Sequence, residues 1–288
     1  MEFSNLPGVT NLQLVVALKD VLEKANTPYN SLSVLVKYDE YCKWAMNSVG
    51  YLSKFISQED LQTLITTPRH WAIVGASDFA GRGQNNAAYL LNTELSQRIQ
   101  ELGKAIEVVQ SEIDRWQHYD GRLMVPDTNI FLHEDLQFDE IDWRSRLGVP
   151  RFDNIHLVVP ILAIKELDSK KSANRGNTVS EKNSVPVRTR ARQTLKKINE
   201  MFPQPTVMGI LESEDSLNHG MVSITLLMDG VRHIGLSDPD SEILDRALSL
   251  QQATGREVTV ITRDISMSLR ARNAGLLSIL LSDEGSEK

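Results

Sequence analysis

Cysteine is almost absent from this chain. The single copy, Cys42, cannot close an intramolecular disulfide, so the fold has to rest on its apolar core. No apolar run approaches the ~18 residues needed to cross a bilayer, and the leading residues MEFSNLPGV carry neither a basic segment nor an apolar stretch. No membrane partner is therefore expected, and the cytoplasm is the expected compartment. A surplus of positive charge is missing too. The formal net charge of −7 and a pI near 5.5 argue against a general nucleic-acid coat protein.

What is there suffices for two domains: 288 residues, 41% hydrophobic and 24% charged, with a core dominated by Leu, Ile and Val. The basic residues are concentrated. Between Lys165 and Lys197 ten Lys or Arg stand against three acids, a local charge of +7 in an acidic chain. Such a segment needs a local explanation.

Residues 1–120 read as an all-helical region. Val15, Leu18, Val21 and Leu22 lie at helical spacing, and Asn26-Thr27-Pro28 reads as a stop. Further helices are expected over 31–55 and 57–65, the latter opened by Ser57 with Asp60 three residues on. The stretch Trp71 to Gly83 has spaced glycines that invite a dinucleotide loop. Asp78 stands where the middle glycine would be, and no acid-bearing strand follows, so a plain loop is expected there. From Asn85 to about Tyr119, Leu95, Ile99, Leu102, Ile106, Val109, Ile113 and Trp116 form a heptad-like seam. A helix packed across its own N-terminal helices and a dimerising coiled-coil hairpin both satisfy that spacing.

From Gly121 to the end, residues 121–288, the pattern changes to strands alternating with helices. Strands are expected at 123–125, 155–159, 257–262 and 276–281. Helices are expected at 139–147, 160–167, 187–201, from Asp238 through Leu250, and at 265–273. The remainder reads as a hairpin extension at 207–211 and 221–228, a polar loop at 172–186 and a frayed tail at 283–288. Alternation of this kind implies a central parallel sheet with helices on both faces, a three-layer α/β/α domain.

The carboxylates sit at the junctions. In GRLMVPDTNIFL an apolar strand ends at Asp127, and Asp264 follows the strand EVTVIT. Asp240 opens a helix, and Glu166 lies about two turns into the helix that begins at Pro160. Ligands bind at the carboxyl edge of a parallel sheet, and four acids from four segments can converge there. Gathered carboxylates repel, so oxygen-only ligands of this kind suit Mg²⁺ or Mn²⁺. Such ions activate water for phosphodiester hydrolysis, and the basic segment supplies phosphate contacts from Lys165, Arg188, Arg190 and Arg192, with Arg263 beside Asp264.

DTNIF at Asp127, PxxxxKEL at Glu166, DPDSEIL at Asp240 and VITRDISMSLRARNAGL around Asp264 together resemble the PIN-domain nucleases over about residues 122–282. The resemblance implies a PIN-like α/β/α fold and a metal-dependent site made of Asp127, Glu166, Asp240 and Asp264. It also implies cleavage of single-stranded or structured RNA to 3′-hydroxyl and 5′-phosphate ends. Asn129 and Thr262 match the family's orienting polar residues, and Asp238 stands as a substitute ligand. The family often carries Asn or Asp two residues past its fourth acid, where this chain has Ser266. The expected protein is an endoribonuclease using a Mg²⁺- or Mn²⁺-activated water, a homo-oligomer whose helical region serves oligomerisation or docking of a protein regulator.

Each residue also has a plainer use. Asp127, Asp240 and Asp264 serve equally as helix N-caps, and Glu166 as a surface acid paired with Lys170. Three arginines alternating along one helix cannot share a narrow face. His133, His156, His219 and His233 show no ligand spacing and read as structural or surface residues. Two rival functions stand beside the nuclease. One is a catalytically idle PIN-like module that binds RNA or scaffolds a complex. The other, a haloacid-dehalogenase-like phosphatase, needs a second Asp where Asn129 stands. Nothing in the sequence reads a 2′-hydroxyl, so DNA stays open as a substrate.

Overall fold

In the computed structural model the described residues are 5–31, 33–75, 84–134, 136–172, 185–204, 207–215, 217–230 and 233–282. The chain divides into two compact units, residues 1–117 with 252–255 and residues 118–251 with 256–288. No helix among the described residues is long and apolar enough to cross a membrane.

The first unit is helical: α1 (Asn11–Asn30), α2 (Val34–Leu52), α3 (Gln58–Leu64), α4 (Pro68–Gly75) and α5 (Gln84–Gln117). A capping box starts α1. Gln13 N donates to Thr10 Oγ1 at 3.3 Å, and Thr10 N donates to the Gln13 side chain at 2.9 Å. The helix runs through Asn26-Thr27-Pro28 instead of stopping, because a proline in the last turn removes one hydrogen bond and its ring is buried. Trp71 to Gly75 closes a helix. The glycine-bearing residues 76–83 expected as a loop lie outside the described residues. Along α5, Leu95, Leu102, Val109 and Ile113 are buried against Leu14, Leu18, Tyr41, Leu61 and Leu64 of the preceding helices. The heptad-like seam is therefore used inside this unit. Beneath it Glu94 and Arg98, 1% and 5% exposed, form an ion pair of 3.1 Å, and Arg98 also donates to Thr63 O and Leu64 O at 2.7 and 2.9 Å.

The second unit begins with β1 (Arg122–Pro126), α6 (Thr128–His133), α7 (Trp143–Leu147), β2 (Ile155–Pro160) and α8 (Ile161–Ser172). It continues with α9 (Val187–Met201), β3 (Gly209–Glu212), β4 (Val222–Leu227), α10 (Pro239–Thr254), β5 (Val258–Thr262), α11 (Ile265–Asn273) and β6 (Leu277–Leu280). The sheet order is β3-β4-β2-β1-β5-β6, parallel except for β3. Both faces are covered. Met124, Leu157, Val159, Ile224 and Ile261 join α6 to α9 in one core, and the intervening Leu123, Val125, Val158 and Val260 are equally buried. Gly121 leads into β1 at φ +96°, where a Cβ would stand 2.3 Å from Asn154 O, so only glycine fits.

Three elements of the second unit depart from expectation. The segment read as half of a hairpin extension is β4, paired parallel with β2 inside the main sheet, and only β3 runs antiparallel. Its Ser223 and Thr225 look solvent-facing in sequence but are buried, with Ser223 Oγ sharing a 2.7 Å hydrogen bond with His156 Nδ1. The helix expected over 139–147 is cut to α7, because Asp142 caps it through Ser145 N at 3.1 Å. Pro160 closes β2 and does not open α8. The expected loop over 172–186 falls mostly, and the tail 283–288 entirely, outside the described residues.

Candidate active site

β1 is where the strand order reverses, with β2 on one side and β5 on the other, so the cleft outside the carboxyl ends of β1 and β5 is the expected ligand position in an open parallel sheet. Asp127 leaves β1 at that point, its backbone N–H donating to Ile261 O at 2.8 Å. It is 2% exposed. Its Oδ2 accepts from Thr262 Oγ1 at 3.1 Å and from Asn129 Nδ2 at 3.2 Å. Burial pushes its carboxyl up to about 6. The Thr262 and Asn129 hydrogen bonds oppose that shift and the Asp240 charge adds to it.

Thr262 links two of the acids. It donates to Asp127 and accepts from the backbone N–H of Asp264 at 3.0 Å. Asp264 caps α11, its Oδ1 accepting from Ser266 N at 2.6 Å and Met267 N at 3.3 Å. Ser266 thus meets the fourth acid through its backbone. Asp240, half-buried in the first turn of α10, is raised by burial and by the charges of Asp238 and Asp264, against a lowering by Arg270. Glu166 on α8 accepts from Thr128 Oγ1, the residue after Asp127, at 2.5 Å. These links join Asp127 to Asp264 through Thr262 and Glu166 to the residue after Asp127, and no three of the four acids bring carboxylate oxygens within 4.8 Å of one another.

The outlying residues sort differently. Asp238, expected as a substitute ligand, instead caps α10: its Oδ2 accepts from Ser241 N at 3.1 Å and from Arg270 Nη2 at 2.9 Å. Arg190, expected to touch substrate, is corrected to a structural role. It is 5% exposed, and its guanidinium donates to Glu134 O at 3.3 Å. Arg263 is engaged by the Glu134 carboxylate at 2.7 Å. Lys165 pairs with Asp229 at 3.0 Å. Arg188 and Arg192 are exposed on α9.

A PIN-domain family model matches residues 124–281, more than half of the chain and the stretch that contains all four acids. The chain belongs to the PIN-domain family. A search of curated proteins gives no match to this PIN-domain chain. Among solved structures it is similar to a domain of a functionally unknown protein from Methanocaldococcus jannaschii DSM 2661, at 14% identity and a TM-score of 0.33, covering 58% of this chain and 96% of the other.

Sequence reasoning missed several residues of this PIN domain. Thr128, one position past Asp127, aligns Glu166, and adjacency to the acid was the available signal. Arg270, inside the quoted motif around Asp264, stands beside Asp238 and within 4.0 Å of Asp240, a pairing 30 positions apart that no local pattern marks. A third group, Asp229, His233 and Glu242, places one donor atom from each residue within 4.8 Å of the others. His233 lacked ligand spacing because its neighbours come from a strand exit and a helix start.

Proposed function

We propose that the protein is a divalent-cation-dependent endoribonuclease with Asp127, Glu166, Asp240 and Asp264 as its site. PIN domains are commonly nucleases and typically use divalent metals. The observation that carries the reading is Asp127: a nearly fully buried carboxylate at the sheet's switch point, held up near pH 6 by burial with Asp240 beside it. The donor set is oxygen only and partly open to water, which fits Mg²⁺ or Mn²⁺. When bound, such a cation supplies charge that offsets the carboxylate repulsion and the negative charge of a phosphodiester. Thr262 holds Asp127 and Asp264 in one register, and Asn129 orients the Asp127 carboxylate. Glu166, aligned by Thr128, positions the attacking water and takes up its proton. Arg188, Arg192 and Lys165 hold the RNA backbone, with Lys165 exchanging Asp229 for phosphate. The helical unit serves assembly or docking of a regulator.

The test is Mn²⁺-dependent cleavage of a labelled single-stranded RNA. Wild type is expected to cut, and Asp127→Asn is expected to bind RNA without cutting; equal rates would sink the assignment. One observation favours a second reading, an idle PIN-like RNA-binding module, namely that no three of the four acids close on a common point. Its mark would be RNA binding by wild type with no Mn²⁺-dependent turnover.

A further inference from the structure

We infer that Asp229, His233 and Glu242 form a cation site of the Zn²⁺ class, separate from the four-acid cluster, which fastens the loop after β4 to the first turn of α10. Their donor atoms all lie within 4.8 Å of one another. One imidazole nitrogen and two carboxylates make a mixed donor set that suits Zn²⁺ better than Mg²⁺, which takes oxygen. His233 Nε2 already meets Glu242 Oε1, the atoms from which two of the bonds would be made.

The loop needs such a fastening. Its described apolar residues Ile234 and Leu236 are 87% and 51% exposed, so among the described residues apolar burial does not hold it. It is tied down through His233 and through Leu236 N, which donates to Glu242 Oε2 at 2.8 Å. Glu242, the anchor, is 2% exposed, and a carboxylate so buried requires positive charge beside it. The cations now present can yield. Lys165 holds Asp229 in a pair whose lysine side chain is 62% exposed, a weak contact in water. Arg246, 3.5 Å from Glu242 Oε1, has a second carboxylate at 2.5 Å in Asp245. Glu242 is also set apart from the acidic cluster. Two positions past Asp240 on the same helix, it lies roughly 200° further round the axis and is buried where Asp240 is half-exposed.

The experiment uses the full chain, titrated with ZnCl2 by calorimetry and with Co²⁺ by visible absorption. Asp127→Asn is expected to keep a Zn²⁺ site and a Co²⁺ band typical of low coordination with a nitrogen ligand. His233→Ala and Asp229→Asn are expected to weaken that site by at least about tenfold and to lose the band. Lys165→Ala is expected to strengthen it. Circular dichroism confirms folding, and His233→Asn replaces His233→Ala if that variant is unfolded. Zn²⁺ uptake equal to wild type in both His233 and Asp229 variants, or complete loss of uptake in Asp127→Asn, would show that the trio is an ion-pair network and no metal site. The nuclease reading stands or falls on RNA cleavage by wild type, a separate measurement.

Discussion

Asp127 sits where burial disfavours its charge. A carboxyl whose pKa is raised from 3.8 to about 6 on folding stabilises the native state only while protonated. That contribution is complete below about pH 4 and is lost as pH rises through about 6. Asp127→Asn in chelator should therefore be more stable than wild type at pH 7.5, by on the order of 3 kcal/mol, with the difference vanishing below about pH 4. Urea unfolding across that range reads it directly, and a difference that does not change with pH would refute the burial argument. Mn²⁺ should reverse the order, since a ligand that binds only the native wild-type site raises its stability alone. At Thr262 the prediction concerns titration. Thr262→Val removes a hydrogen bond that lowers the Asp127 pKa, so the pH midpoint of Mn²⁺ binding should move upward. An unmoved midpoint in calorimetric titrations at several pH values would detach Thr262 from Asp127.

Among the elements, those with strong local signals match the sequence reading closely. α9 runs from Val187 to Met201 and α11 from Ile265 to Asn273, the ranges that periodicity and punctuation indicated. β4 was harder, because buried Ser and Thr imitate the polar face of a half-solvated strand. The seam of α5 met two descriptions, and the buried residues of α1 to α3 take up Leu95, Leu102, Val109 and Ile113 within the unit. That helix carries its own test. Removing Glu94 strands the Arg98 guanidinium at 5% exposure, so Glu94→Ala should cost about 3–5 kcal/mol, read as a lowered urea midpoint by helical circular dichroism. A change under about 1 kcal/mol would mean that water or Thr63 and Leu64 carbonyls suffice for Arg98.

At the scale of the whole molecule, an acidic protein that binds RNA has to do so through a local basic surface. The proposed surface centres on Arg188 and Arg192. Replacing both with Ala should weaken RNA binding and flatten its salt dependence by about 0.7 in log–log slope for each phosphate that is no longer neutralised. Fluorescence anisotropy from low to moderate salt checks this, and an unchanged slope would remove α9 from the interface. Arg190→Ala should instead lower stability, because its guanidinium is buried against Glu134.

By itself the sequence determined the α/β alternation and the helical region before it and marked four acids at strand and helix junctions as candidates, because periodicity, strand ends and caps are local properties of the chain. Only the tertiary structure decided which charges are spent on one another. Lys165 with Asp229, Arg263 with Glu134, Arg270 beside Asp240 and the trio around Glu242 are pairings across 9 to 129 positions of chain. Coulomb energy and desolvation depend on distance through space and on burial, and no spacing along the sequence encodes either.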